Sequence, residues 1–330
     1  MTAVSPAMPR PQAVRSRQAA VRRFALADAA FHALTRACAV LVLVILGGVA
    51  VSLVVGAWPA LSAFGPSFIA TQSWNPVTEK FGALAPIYGT VVTSAIAILI
   101  AVPIGIGIAV FLTELCPRPL RRPIGIAVEL LAGIPSIIYG IWGLFVFAPF
   151  LQRHFQPAAI DLFKGVPVLE NLFAGPPYGI GLFTSALILA IMVLPFVTSI
   201  ARDVFDTVPA VLKEAAYGIG CTTWEVTRRI VIPYTRTGIM GGVMLGLGRA
   251  LGETMAVTFV IGNAHRISAS LFAPGTTISA TIANEFTEAD GALYTSSLGA
   301  LGLILFVNTF LVLAAARFML MRIERRAAGA

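Results

Sequence analysis

Between two apolar stretches the chain reads Lys213-Glu214-Ala215-Ala216-Tyr217-Gly218-Ile219-Gly220, and nine residues later Ile230-Val231-Ile232-Pro233. Apolar and small residues recur at helical spacing from Leu212 to Ile219, which predicts a short helix with a close-packing face. Gly220 can end that helix in a left-handed conformation. Thr222 and Glu225 then stand at capping-box spacing, so a second short helix is predicted to start there, at an angle to the first.

The composition around this segment is that of a polytopic membrane protein. Apolar residues make up 58% of the chain and charged residues 12%, with a mean hydropathy of +0.88, which is far from a soluble domain. A membrane-spanning helix needs roughly 20 apolar residues. Six stretches meet that length, at residues 37–57, 87–112, 124–151, 179–201, 238–262 and 298–321. The predicted fold class is therefore an all-α membrane protein with six transmembrane helices.

Three prolines lie inside these stretches, at Pro103, Pro135 and Pro195. A proline removes a backbone donor, so kinked or locally opened helices are predicted there, where neighbouring helices or a cavity can satisfy the freed carbonyls.

The basic residues predict the orientation. With the N-terminus inside, the outer segments hold only Lys80, Arg153, Lys164 and Arg266. Arg249 lies within a span, and every other lysine and arginine falls in an inner segment, as the positive-inside rule requires. Residues 1–36 are then a basic cytoplasmic tail before an uncleaved first span at 37–57, and residues 322–330 a second cytoplasmic tail. The loop 202–236 faces the cytoplasm.

The basic residues of the inner segments account for the pI near 9.9. No basic stretch is interleaved with aromatic residues, so nucleic-acid binding is not predicted. The three histidines fall in different segments without metal-ligand spacing, so a metal site is not predicted, and no cofactor is predicted either.

The organising segment is similar to the cytoplasmic coupling loop of permeases in binding-protein-dependent ABC importers. The resemblance lies in Glu-Ala-Ala, three residues, Gly, nine residues, and Ile before a Pro; Ile232 stands where that family usually has Leu. It implies a type I (MetI-like) permease core over residues 87–321, with the loop 202–236 docked in a groove of an ATPase. The coupling residues it implies are Glu214, Ala215, Ala216, Gly220, Ile230 and Pro233. From the residues alone, an ordinary amphipathic connector is an equally good interpretation.

A nucleotide-binding P-loop needs Gly-Lys-Ser/Thr, and the only lysines, at Lys80, Lys164 and Lys213, do not follow glycine. ATP hydrolysis by that route is therefore excluded, and the chain is not predicted to be an enzyme. The resemblance implies as partners an ABC ATPase dimer, a second homologous permease, and an extracytoplasmic binding protein, beside membrane lipid. The implied location is the bacterial cytoplasmic (inner) membrane.

Two further motifs resemble the phosphate branch, the membrane subunits of the PstC type. They are Gly133-Ile134-Pro135-Ser136-Ile137-Ile138-Tyr139-Gly140 and Gly248-Arg249-Ala250-Leu251-Gly252-Glu253-Thr254-Met255-Ala256-Val257. This resemblance implies that the extracytoplasmic partner is a phosphate-binding protein. Sulfate and molybdate permeases share the Arg-Ala-Leu-Gly-Glu core, so another oxyanion remains an alternative. An ion-coupled secondary transporter and a membrane-embedded enzyme are further alternatives, because both keep charged residues within spans.

Arg249 and Glu253 lie near the middle of the fifth predicted span, four residues apart, so they are predicted to share one helix face. Each charge alone would cost roughly 2.5 to 3.5 kcal/mol at a helix centre, which predicts that they pair or face water. Either the pair is structural, or Arg249 binds the anion and Glu253 holds Arg249 in place when the pathway is empty. Thr254 contributes a hydroxyl to the pathway or bonds its own backbone.

Overall fold

The computed structural model describes residues 11–328 of the chain, and the side chains of residues 24–318 and 320–322. Apart from an isolated bridge between Asn75 and Lys80, the regular structure in this part is helical. The α-helices are α1 (Pro11–Phe64), α2 (Ser67–Ala70), α3 (Leu84–Val110), α4 (Arg118–Ala132), α5 (Ser136–Trp142), α6 (Ala148–Phe150), α7 (Gln156–Phe163), α8 (Pro167–Leu172), α9 (Leu182–Phe205), α10 (Ala210–Gly218), α11 (Thr223–Val226), α12 (Ile232–Leu251), α13 (Met255–Thr258), α14 (Ile278–Glu285) and α15 (Ala292–Ala328). π-Helical turns continue several of them, at Phe111–Leu115, Gly143–Phe147, Leu151–Phe155 and Thr227–Val231.

Within the described residues, six helical segments are long and apolar enough to cross a membrane. They are Phe24–Phe64, Leu84–Leu115, Ser136–Phe163, Leu182–Phe205, Thr223–Leu251 and Ala292–Arg322. The all-α class and the six membrane helices predicted from hydropathy are confirmed.

The described residues divide into two compact units, one that ends at Val55 and one that begins at Gly56. Within the first unit, α1 is helical from Pro11 onward, so no helix boundary falls at the predicted junction of tail and first span near residue 36. Apolar side chains along it are exposed in this chain, for example Leu43 at 67%. Residues 1–10 of the predicted tail lie outside the described part, and its cytoplasmic location stays a prediction.

The larger unit is built around α9, the most buried of the six membrane helices. One face of α3 carries small residues four apart, at Ala97, Ala101 and Gly105, and each is buried. Small residues at this spacing let two helix backbones approach closely. A Cβ added at Gly105 would lie 3.1 Å from the Cγ1 atom of Val197 on α9. The spacing of small residues on α3 therefore positions α9 in the core.

Two predicted spans have different bounds in the structure. The span predicted at residues 124–151 is divided by Pro135, whose backbone is extended (φ −56°, ψ 136°), so Arg118–Ala132 is a separate helix and the membrane segment is Ser136–Phe163. The fifth span runs from Thr223 to Leu251 rather than over 238–262, because its helix starts at the capping box. Pro103 and Pro195 instead lie inside α3 and α9, which continue past them.

On the side predicted to be external, four residues form a compact polar and aromatic cluster. The Glu285 carboxylate accepts hydrogen bonds from the Trp74 indole at 3.2 Å and from the Tyr294 hydroxyl, and the His265 Nε2 atom lies 3.3 Å from it. The Trp74 and His265 rings stack with centroids 5.4 Å apart. Burial lowers the pKa of His265 below its ordinary value, although the Glu285 carboxylate opposes this shift.

Candidate functional site

The Gly248–Val257 motif spans a break between two helices. Helix α12 ends at Leu251, residues 252–254 are not helical, and α13 begins at Met255. The prediction that Glu253 lies one turn from Arg249 on the same helix is therefore wrong. Helix α12 ends before Glu253, whose carboxylate instead accepts the backbone N–H of Ala256, in the first turn of α13, at 3.3 Å.

Arg249 lies in the last turn of α12, and its side chain is exposed in this chain. Its guanidinium carbon lies 5.7 Å from the centroid of the Phe196 ring on α9, a cation–π distance. No carboxylate of the described residues lies within 4.0 Å of it, so the predicted ion pair with Glu253 is not formed in this structure. A guanidinium without a carboxylate partner keeps its donor fork free for an anion.

The Thr254 hydroxyl lies 3.4 Å from the carbonyl oxygen of Gly252, within the same break. The hydroxyl was predicted either to line the pathway or to bond the local backbone, and in this structure it makes the backbone bond.

The second motif also contains a helix break, at Gly133–Pro135 between α4 and α5. The Tyr139 hydroxyl donates a hydrogen bond of 2.9 Å to the carbonyl oxygen of Leu131, across that break. A proline break leaves carbonyls without their helical partners, and in a membrane such groups need an internal donor. Tyr139 supplies one, which stabilises the bend.

The two motifs contact each other at Gly140. A Cβ added at Gly140 would lie 2.8 Å from the Cδ2 atom of Phe259, 3.1 Å from the carbonyl oxygen of Met255 and 3.2 Å from the Cα atom of Ala256. Only a residue without a side chain lets α5 approach the α13 backbone this closely. Tyr139, Ala250 and Ala256 also belong to one buried cluster. The two helix breaks thus lie together beside Arg249, which the sequence resemblance did not predict.

The predicted coupling segment forms the expected first helix, α10. Gly220 has φ +91°, so the left-handed termination is confirmed, and the Thr222–Glu225 capping box has both of its hydrogen bonds. The second helix is not separate, however. A π-helical turn at Thr227–Val231 joins α11 to α12, so one helical segment runs from Thr223 to Leu251. The capping box thus begins the fifth membrane helix rather than a short independent one.

The predicted coupling residues divide by burial. Ala216 is 5% exposed and belongs to a buried cluster with Val226 and Val231, against which Ile230 also packs. The other four, Glu214, Ala215, Gly220 and Pro233, are exposed.

Large apolar side chains are exposed beside the coupling residues: Val211 at 72%, Tyr217 at 42%, Ile219 at 84% and Trp224 at 65%. We call these four the apolar rim. The apolar rim, rather than Ala216, is available for contact with another protein.

One ion pair of the coupling segment was missed. Lys213 Nζ lies 2.5 Å from Glu114 Oε1, with side chains 19% and 6% exposed, and the pair joins α10 to the π-helical turn that ends α3. The sequence did contain a signal, because Glu114 is the first charged residue after Lys80. A lone carboxylate at the end of a long apolar run is costly unless it is paired.

The family model of the binding-protein-dependent transport system inner membrane component matches residues 101–326. The chain belongs to this family, within its PstC branch. It is 80% identical to the phosphate transport system permease protein PstC of Mesorhizobium japonicum, over 99% of each chain. It is 58% identical to the PstC protein of Pasteurella multocida, over 90% of this chain and 92% of that one. The predicted family and substrate branch are confirmed.

Solved permease structures share the fold. A chain of the methionine ABC transporter MetNI, in an inward-facing conformation, aligns with a TM-score of 0.52 over 72% of this permease and 94% of that chain, at 15% identity. A chain of a bacterial alginate ABC transporter, crystallised with its alginate-bound periplasmic protein, aligns with a TM-score of 0.52 over 82% and 87%, at 17% identity. At these identities the likeness concerns the fold alone, and it confirms the MetI-like architecture.

Proposed function

We propose that this chain is the membrane-spanning permease subunit of an ATP-driven importer of inorganic phosphate. The observation that carries the proposal is the Arg249 guanidinium, which has no carboxylate partner among the described residues and lies where the two helix breaks meet. The relatives named for phosphate transport support the choice of substrate.

In this proposal Arg249 binds phosphate during passage. The planar guanidinium fork donates two parallel hydrogen bonds to two phosphate oxygens, which a lysine cannot do. The nearby Phe196 ring holds the guanidinium weakly, at 5.7 Å, and a passing anion competes easily with such a contact. Binding that is favourable but weak allows the anion to leave again.

Glu253 has a different role from the one first predicted. Its carboxylate accepts a hydrogen bond from the first turn of α13, so it stabilises the break instead of holding Arg249. Thr254 belongs to the same break through its bond to the Gly252 carbonyl. Both are positioning residues in the proposal, and Arg249 is the residue that contacts phosphate.

A separate pair of ATPase subunits drives the motion, through the apolar rim and the exposed coupling residues. Two connections lead from this surface into the membrane: the Lys213–Glu114 pair to α3, and the helical segment Thr223–Leu251 to Arg249. A second homologous permease completes the pathway, and an extracytoplasmic binding protein delivers phosphate.

The proposed orientation has both termini and the coupling segment in the cytoplasm, supported by the clustering of basic residues in those segments. A reporter fused after Cys221 is expected to be cytoplasmic, and one fused near Lys164 external. The opposite pattern would reverse the orientation and remove the apolar rim from any cytoplasmic ATPase.

Phosphate uptake in cells that lack their own phosphate permease tests the role of Arg249. Arg249→Gln is expected to abolish uptake while the protein still co-purifies with an ATPase, and Arg249→Lys to restore little, because the fork is lost. The matched control is Arg236→Gln, an exposed arginine on the same helix. Wild-type phosphate uptake by Arg249→Gln would refute the anion contact. Uptake of sulfate or molybdate instead of phosphate by the native chain would favour the other oxyanions.

A further inference from the structure

A basic cavity lies between α4 and the end of α9, away from the break at Arg249. Its volume is about 440 Å³, within the range of small-ligand sites, and four arginines and three carboxylates line it. The arginines are Arg118, Arg121, Arg122 and Arg202. In the proposed orientation the cavity opens at the cytoplasmic side of the membrane.

The carboxylates engage only two of these arginines. Arg121 Nη2 lies 2.6 Å from Asp206 Oδ1, and Arg202 Nη2 lies 2.6 Å from Glu129 Oε1 and 3.2 Å from Asp203 Oδ1. Both cross-helix pairs join α4 to α9 and so hold the walls of the cavity together.

Arg118 and Arg122 are exposed, and neither has a carboxylate within 4.0 Å in the part of the chain that the structure describes. The lining therefore keeps a net positive charge, with two guanidinium forks unengaged. Two neighbouring unpaired guanidiniums repel each other, and a doubly charged oxyanion between them would relieve that repulsion.

The opposite surface of α4 favours a position of the cavity at a membrane boundary. Its arginines point to the cavity side, whereas Leu120, Leu130 and Leu131 on the opposite face are 51%, 68% and 43% exposed. Helices of this kind, apolar on one side and arginine-rich on the other, lie where lipid tails meet headgroups. Gly125 on α4 faces Arg202 of α9, since a Cβ there would lie 2.8 Å from the Nη1 atom of that side chain.

We propose that this cavity binds a phosphate group through Arg118 and Arg122. Two sources have the required chemistry: the headgroup of an anionic phospholipid whose tails lie along the apolar face of α4, and inorganic phosphate released on the cytoplasmic side. The second source rests on the proposed function, and the first does not.

The test measures the thermal unfolding midpoint of the purified assembly in nanodiscs. One arm titrates inorganic phosphate into phosphatidylcholine discs against chloride of equal ionic strength, and the other replaces part of the phosphatidylcholine by phosphatidylglycerol. A ligand that binds the native state raises the midpoint. In the arm that responds, Arg118→Ala with Arg122→Ala is expected to weaken the apparent affinity at least about tenfold, as loss of charged hydrogen bonds does.

The controls keep the outcomes distinct. Arg236→Ala removes an exposed arginine outside the cavity and is expected to respond as the wild type does. Arg118→Lys with Arg122→Lys keeps the charge without the forks, and is expected to assemble normally and to bind with intermediate affinity. Response to phosphatidylglycerol alone assigns the lipid, and response to phosphate alone assigns the transported ion.

The proposal is overturned if neither ligand raises the midpoint of the native assembly, or if the double alanine variant responds fully. It is also overturned if Arg249→Gln, rather than the double alanine variant, removes the response to phosphate, because the ion would then bind only at the helix breaks. Failure of Arg249→Gln to affect uptake would refute the proposed pathway and leave the lipid arm unaffected.

Discussion

Removing one partner of the Lys213–Glu114 pair is expected to destabilise the permease strongly. Lys213→Leu leaves the Glu114 carboxylate, which is 6% exposed, buried without its cation. Breaking a buried ion pair in this way costs about 3–5 kcal/mol, and the 19% exposure of Lys213 indicates the lower end, about 3 kcal/mol. The free energy of unfolding, measured by reversible denaturation in mixed micelles, gives the value directly.

Two comparisons make the result decisive. Lys213→Leu combined with Glu114→Leu removes both charges and is expected to lie near the wild-type stability, because apolar groups of similar size replace the pair. Asp206→Asn breaks a pair whose side chains are 40% and 51% exposed, and is expected to cost less than about 1 kcal/mol. A loss below about 1 kcal/mol for Lys213→Leu would refute the inference that the pair is buried and holds α10 to α3.

The double leucine variant also separates stability from coupling. If the pair transmits the movement of α10 to α3, this variant is expected to be stable and yet to import less phosphate per ATP hydrolysed. Wild-type coupling in the variant would show that the Lys213–Glu114 pair does not transmit the movement. Of the two proposed connections, only the helical segment Thr223–Leu251 would then remain.

Gly140→Val is expected to abolish phosphate uptake without loss of ATPase attachment, because even a Cβ atom at this position would lie 3.2 Å or less from Phe259 and the α13 backbone. Normal uptake by this variant would contradict the close contact of the two motifs. Ile219→Asp is expected to weaken co-purification of the ATPase without changing the stability of the permease, because Ile219 is exposed. Ala216→Trp is expected to lower the stability of the permease, because Ala216 is buried within its own chain. Equal stabilities of the two variants would refute this difference between the exposed and the buried residue. Burial lowers the pKa of His265 in the folded protein, so folding favours the neutral imidazole. The contribution of this preference to stability is complete above the ordinary pKa near 6.5, and it is lost as the pH falls through the lower pKa of the folded protein. The thermal midpoint of the wild type is expected to fall more steeply below about pH 6.5 than that of His265→Gln, and parallel curves would exclude the effect.

The sequence predicted the features that depend on local chemistry. Gly220 ends α10 with positive φ because glycine adopts that conformation without strain, and Thr222 with Glu225 caps α11 because both hydrogen bonds are made within four residues. The number of membrane helices could also be predicted, because the length and hydropathy of each apolar stretch depend only on neighbouring residues in the sequence.

What failed required knowledge of competing contacts. A four-residue offset between Arg249 and Glu253 indicates a pair only if the helix continues. A carboxylate in a helix break can instead accept a backbone N–H of the next helix, as Glu253 does from Ala256. Hydropathy also merged α4 with the span that follows it, because a window average does not register the single extended residue at Pro135. The inward direction of Ala216 and the pairing of Glu114 with Lys213 depend on residues distant along the chain, which no local pattern encodes.

The unbroken helical segment from the capping box to Arg249 has a geometric consequence. Its 29 residues span about 43 Å at 1.5 Å per residue, so a tilt of about 10° at the coupling end displaces the far end by about 7 Å. A displacement of this size is about twice the donor–acceptor distance of a hydrogen bond, which is roughly 3 Å. If Arg249 contacts phosphate as proposed, a small tilt of the segment is therefore sufficient to separate the guanidinium from the anion.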